Sequence, residues 1–422
     1  MLLVFSPLMG FLLFASYKKD KASPLNVFLS VWTFIFFMYG LRLYEIIPVD
    51  TMTEVFIITG VMCFYIGYQF ANRIQLSNES DNIYDSECTV DSRFNYFAVK
   101  VMLILDYIYA VPTYFSKITR ILQYGWTVNA AKELLSEGSD VFNLYVFDPF
   151  NFFLVALIAY LIIYNRKEKF IIVSGIVINA LSFLATGSRS RIIFFALCFL
   201  SMSMTELSDI FSRLKKKVKL CVAIIAMVVV LVSGYGLALF KNLYFYFCTC
   251  VPLFDRIVTH SDAHFTMGMT YGALSLNGIL RIIPNFIENY VNSSIKIQPF
   301  EIAEKYIEYF EYACEIAPGQ ITNSFYSFIA NFYLDFGIFG ITLVAFAYGI
   351  IICVIYRRNS TNRTAKSKLL LAFIYYAMFF SMVRCSWMGI RFAVGFMFVY
   401  IFAVSTKRVV FTFNGSAIKT KI

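Results

Sequence analysis

Histidine occurs only twice in this 422-residue chain, tryptophan three times, and charged side chains make up only 15% of it. The two histidines, His260 and His264, stand four residues apart with Asp255 and Asp262 nearby. No glutamate completes a His-Glu-x-x-His pattern around them, so no metal site is expected. Nine cysteines are scattered, mostly inside apolar stretches, without metal-ligand spacing. Cys248 and Cys250 are too close for an unstrained bridge, which leaves no disulfide framework. No glycine-rich phosphate loop is present, and Asp335-Phe336-Gly337 has no His-Arg-Asp partner, which excludes a kinase reading. No cofactor is therefore expected. Internal repeats, common in transporters, are also missing.

Phenylalanine (47), tyrosine (29) and other apolar residues bring the hydrophobic share to 59%, outside the soluble globular range. Apolar runs approach the roughly 20 residues that cross a bilayer, and in lipid such runs must be helical. The fold class expected is an all-α polytopic membrane protein with about eleven transmembrane helices in a single domain over residues 1–422. Lys18, Lys19 and Lys21 follow the first apolar run, whereas the basic region of a cleaved signal precedes it. Spans are expected near 1–17, 24–41, 52–71, 94–112, 148–164 and 170–186. Another begins at Ile192, one ends near Phe240, and the last three lie near 337–356, 369–383 and 392–405. Ser23-Pro24 and Asp148-Pro149 read as helix caps followed by proline at the first helical position. Two excursions interrupt this alternation, a smaller one at 113–145 and a dominant one at 241–336.

Basic residues set the orientation. The loops holding Lys18 to Lys21, Arg73, Arg93, Arg166 to Lys169, Arg213 to Lys219, Arg357 to Lys368 and the tail carry most of the 36 lysines and arginines. These loops are assigned to the cytoplasm, with the C-terminus. The N-terminus and both excursions fall on the outer side of the membrane. The net charge of +10 is then topological, and no nucleic-acid partner is needed to explain it.

Arginines on the outer side work against that bias. Arg189 and Arg191 lie at the lip between two spans, Arg384 and Arg391 between two others, and Arg281 in the large excursion. Guanidinium suits bidentate, partly desolvated recognition of a diphosphate. The alternative is snorkelling to headgroups or capping of helix ends. Asp255, His260, His264 and Glu288 are candidate bases for a sugar hydroxyl. Asp106, inside an apolar run, faces a cavity or pairs with an outer arginine; Asp148 is expected to act only as a helix cap. Residues 300–317 read as one amphipathic helix. Glu301, Glu304, Glu308, Glu311 and Glu315 share its solvated face, and an aromatic helix follows from Ile321 to Leu334.

Thr186-Gly187-Ser188-Arg189-Ser190-Arg191, together with the run from Asn323-Ser324-Phe325 to Asp335-Phe336-Gly337-Ile338-Phe339-Gly340, resembles the O-antigen (oligosaccharide repeat-unit) polymerases of the Wzy type. The layout of spans and excursions is similar over the whole length. The resemblance implies a polytopic fold like the C-type glycosyltransferases, with undecaprenyl-diphosphate-linked oligosaccharide as substrate. It also implies membrane lipids, a chain-length regulator and a flippase as partners. Two rivals are weighed beside it. O-antigen ligases carry a histidine, a small polar residue and a glycine about ten positions on; here His260-Ser261 is followed by Gly272, one position from that spacing. A lipid-linked oligosaccharide flippase is the other, although the absence of repeats counts against it.

Overall fold

The computed structural model of the chain is mostly helical, and it describes residues 1–76, 94–124, 142–165, 167–186, 190–204, 236–287, 296–322, 325–360, 364–403, 410–413 and 416–419. Its principal helices are α1 (Leu2–Lys19), α2 (Pro24–Gly40), α3 (Thr51–Leu76), α4 (Tyr96–Tyr124), α5 (Asp148–Tyr164), α6 (Lys169–Thr186) and α7 (Ser190–Met204). They continue with α8 (Gly236–Cys248), α9 (Cys250–Val258), α10 (Gln298–Phe310), α11 (Ser327–Phe336), α12 (Ala345–Ser360), α13 (Ala365–Phe379) and α14 (Ile390–Phe402). Two antiparallel pairs, β1 (Cys314–Ala317) with β2 (Gln320–Thr322) and β3 (Val410–Phe413) with β4 (Ser416–Lys419), are the named strands.

Among the described residues, five helical segments are long and apolar enough to cross a membrane: Leu2–Lys19, Thr51–Ile74, Tyr96–Thr119, Asn143–Tyr164 and Gly340–Ser360. Pro24–Gly40, Lys169–Ala185 and Ile390–Phe402 are shorter apolar helices. The apolar stretch expected to end near Phe240 lies largely outside the described residues.

Three boundaries differ from the sequence expectation. Helix α4 does not stop at Pro112 but runs on to Tyr124, since a missing N–H is tolerated in a long apolar helix. The stretch expected as one helix over 300–317 ends at Phe310 and gives way to the β1–β2 hairpin. Glu315 keeps the helical spacing of the acidic residues, yet its carboxylate accepts from Gly319 N (2.8 Å) and closes the turn. Gly319 holds a φ of +69° there, and Ile316 O takes a further bond from Ile47 N at 2.9 Å. The following helix then begins at Ser327 instead of Ile321.

The chain divides into two units. The first comprises Met1–Ile83, Leu197–Arg358 and Leu371–Ala393. Between helices apolar enough to enter lipid, close packing and buried hydrogen bonds hold neighbours together. Glycines mark where that packing is tightest. A Cβ on Gly67 would collide with the backbone carbonyl of Phe346, and one on Gly340 with that of Phe332. Around these contacts Phe28, Phe64, Phe328 and Tyr348 form a ring cluster, with Phe28 and Phe64 centroids 4.1 Å apart. Trp32 Nε1 donates to Ser381 Oγ at 3.1 Å, and Ser23 caps α2 by accepting from Leu25 N at 3.3 Å, as its sequence predicts.

The second unit comprises Tyr84–Ala196, Asn359–Leu370 and Val394–Ile422. Helix α5 is apolar almost all round and is buried almost throughout, and its polar side chains Asp148 and Asn151 are buried with it. Phe97, Ile104 and Ile108 on α4, and Val173 and Val177 on α6, stay exposed on the outside of this unit. Phe152 stacks on Phe194 at 4.2 Å, and Gly175 lets α6 approach Ile158.

Candidate functional site

In the first unit the chain leaves α9 and turns sharply. His260 takes a φ of +51°, in the left-handed region, which breaks the helical face that the four-residue spacing of the two histidines suggests. Asp262 then caps a short turn, Ala263–Phe265, by accepting from His264 N at 3.1 Å. The same Asp262 Oδ1 lies 2.6 Å from His264 Nδ1, and Asp262 Oδ2 lies 3.4 Å from Arg256 Nη2. A carboxylate can only accept, so Nδ1 carries a proton and Nε2 is the ring nitrogen left to meet a substrate. The Asp262 side chain is 13% exposed and His264 50%, which puts the orienting group below and the imidazole at the surface.

Helix α10 supplies the floor and one wall. Phe265 is buried against Tyr306, Phe310 and Tyr326. Tyr306 donates its hydroxyl to Gly268 O (2.8 Å) and accepts from Gly268 N (3.1 Å). Burial pushes the Tyr306 phenol above its ordinary range, so it stays a neutral donor. Next to it, the Tyr309 ring lies 4.4 Å and the Tyr312 ring 5.8 Å from the His264 ring. An imidazole oriented by a carboxylate and flanked by tyrosines can take a proton from a hydroxyl while the rings support an apolar sugar face.

The acidic face of α10 also holds arginines. Arg281 Nη2 pairs with Glu304 Oε1 at 2.9 Å, and Arg384 Nη2 with Glu311 Oε1 at 3.3 Å. The arginines are partly exposed and the glutamates more so, and such pairs near the surface contribute only about 0–1 kcal/mol, so an anionic ligand can compete with them. Arg391 is exposed at the start of α14.

The other expected site residues fall as follows. Asp255 is engaged structurally: its Oδ1 accepts from Asp50 N (3.0 Å) and Thr53 Oγ1 (2.6 Å), pinning the start of α3 to α9. His260 is exposed and is not joined to the Asp262–His264 pair. Glu288 and Arg189 lie outside the described residues. Arg191 belongs to the second unit, is only 5% exposed, and forms an ion pair with Asp148. Asp148, expected to act only as a cap, therefore serves as a counter-ion, and no side-chain cap bond is made at the start of α5. Among the described residues no group of three or more His, Cys, Asp or Glu side chains is placed to hold a metal ion.

Asp335 has a role that its Asp-Phe-Gly setting does not reveal. Fully buried, it accepts from Thr270 Oγ1 (2.5 Å) and from the backbone N–H groups of Gly272 (2.9 Å), Leu274 (3.1 Å) and Ser275 (3.0 Å). It thereby organises the loop that follows the histidine turn, with Gly272 at a φ of +91°. Asp262 carried a readable signal, an aspartate two residues before a polar residue in a turn-forming stretch. The pairing of α10 glutamates with distant arginines carried none.

Comparison of the chain with protein-family models, with curated proteins and with solved structures finds no match.

Proposed function

We propose that this chain is a membrane-embedded glycosyltransferase that polymerises lipid-linked oligosaccharide repeat units of the O-antigen or capsule type. In this reading eleven helices cross the bacterial inner membrane, the N-terminus and residues 241–336 are periplasmic, and the C-terminus is cytoplasmic. The observation that carries it is the exposed His264, oriented by Asp262 and lying beside Tyr309 and Tyr312, together with Arg281 and Arg384, which are held by weak surface pairs to Glu304 and Glu311.

His264 Nε2 takes the proton of the acceptor hydroxyl on a new repeat unit, and the freed oxygen attacks the anomeric carbon of the growing chain. The bond from that carbon to the diphosphate oxygen breaks as the new glycosidic bond forms. Undecaprenyl diphosphate leaves with the electron pair, and Arg384 and Arg281 offset its charge. The donor already holds the bond energy, so no nucleotide enters the scheme.

The test is the surface polysaccharide of cells that lack the chain and carry plasmid-borne variants. Single-repeat molecules in the deletion strain, restored to long chains by the wild type and not by His264→Ala at equal protein level, support the reading. Core without any repeat points instead to the ligase or the flippase.

A further inference from the structure

The second unit buries a set of charges that the glycosyl-transfer scheme does not use. Asp106, on α4, is 0% exposed, and neither carboxylate oxygen has a hydrogen-bond partner among the described residues. Asn151, on α5, is also 0% exposed; its amide acts on the Asp106 carboxylate, and neither amide atom has another hydrogen-bond partner among the described residues. Among the described residues the cation that acts on Asp106 is Arg191, on α7, and it is engaged elsewhere: Nη2 pairs with Asp148, and Nη1 donates to Asn179 Oδ1 at 3.2 Å. Among the described residues Tyr107 and Tyr114 are the other titratable groups near Asp106, besides Asp148.

Counting charge makes the consequence plain. Among the described residues Asp106 and Asp148 share one guanidinium, in helices that are long and apolar enough to span a bilayer. With Arg191 matched to Asp148, an ionised Asp106 would be a lone buried anion, which an apolar interior does not sustain. One more positive charge balances the group, and the atoms to receive it are present: two oxygens of Asp106 and the amide oxygen of Asn151. All are hard donors, suited to a proton or to a small alkali cation. The Asp148–Arg191 ion pair does not account for a buried Asn151 amide that, among the described residues, has no partner but Asp106.

We propose that Asp106 and Asn151 form an exchangeable monovalent-cation site within the membrane, taking a proton or a sodium ion, beside the fixed Asp148–Arg191 pair. In the proton case the carboxylate becomes a carboxylic acid hydrogen-bonded to the Asn151 amide. In the sodium case the same oxygens ligate the ion and no proton is taken up. Either way the net charge of the cluster moves from minus one to zero. The site is independent of the histidine turn and of the proposed transfer reaction.

Infrared difference spectroscopy on the purified full-length chain in detergent tests this, with thermal unfolding as the second readout. For a proton, a carboxylic-acid carbonyl band titrates reversibly with pH, is indifferent to sodium, shifts in Asn151→Ala and is absent from Asp106→Asn. For sodium, that band appears only when sodium is replaced by choline at constant ionic strength, and sodium raises the Tm of the wild type but not of Asp106→Asn. Asp106→Asn is near-isosteric and mimics the neutral form, and a monodisperse elution profile shows that it folds. Two results would overturn the proposal. One is the absence of any Asp106-dependent band together with no differential sodium effect. The other is a band that persists unchanged at every pH at which the protein stays folded, since that proton would not exchange.

Discussion

Asp262 Oδ1 lies 2.6 Å from His264 Nδ1, and the same carboxylate caps the turn that carries the histidine. One side chain thus fixes both the backbone and the tautomer of its neighbour. Replacing His264 by Ala removes the proposed base, and turnover should fall by roughly 10²–10⁴-fold, the usual span for a general base. Asp262→Asn keeps the cap acceptor but lets the imidazole choose the wrong tautomer, so its loss should be smaller and confined to kcat. Steady-state assays with lipid-linked repeat units separate the two. A rise in KM alone would assign the pair to binding.

Arg384 and Arg191 should respond to mutation in opposite ways. Arg384 sits in an exposed pair with Glu311, so Arg384→Ala should shift stability by no more than about 1 kcal/mol. Activity should drop nonetheless, and Arg384→Lys should not rescue it, because a diphosphate needs the planar fork. The same pattern is expected at Arg189. Arg191 is buried against Asp148, and Arg191→Ala strands that carboxylate at a cost of roughly 3–5 kcal/mol. Its expected phenotype is loss of folded protein, read by fluorescence-detected size exclusion. Free replacement of Arg384 by lysine would return that residue to headgroup snorkelling.

The Asp335 carboxylate should matter for folding rather than chemistry. Asp335→Asn turns an acceptor atom into a donor facing N–H groups, and each buried group left without a partner costs about 1–3 kcal/mol. A large fall in Tm is expected, with residual activity following the folded fraction. Full stability in the Asn variant would show that the loop at 270–275 is held by other means.

Gly340→Ala tests the helix contact beside it. The added methyl would meet the carbonyl of Phe332, and overpacking of this kind costs typically about 1–3 kcal/mol. Gly10→Ala, whose nearest neighbour is Thr33 Cγ2 at 4.0 Å, is the matched control and should be silent in the same unfolding assay.

Helices such as α2, α3 and α5 were legible in the sequence because lipid leaves an apolar run no other backbone option, and the Ser23-Pro24 cap marked a true start. The β1–β2 hairpin was not legible. The three-and-four stepping of its glutamates runs unbroken into Glu315, while the Ile47 bond that favours a strand comes from far away in the chain. Site residues divided on the same ground. His264 and its orienting Asp262 are two positions apart and can be read together, whereas Asp255 looked equally eligible until Thr53, 202 residues distant, proved to occupy it. Arg281, Arg384 and Arg191 were visible as unusual charges, but their partners Glu304, Glu311 and Asp148 are set by packing alone.

The most direct test of the central claim uses the purified chain, undecaprenyl-diphosphate-linked repeat units and no other protein, with products separated by length on a gel. The account predicts a ladder of polymers from the wild type, and single repeats only from His264→Ala with an unchanged elution profile. A ladder of equal length and yield from His264→Ala, or no elongation by the wild type under any condition that keeps it folded, would contradict it.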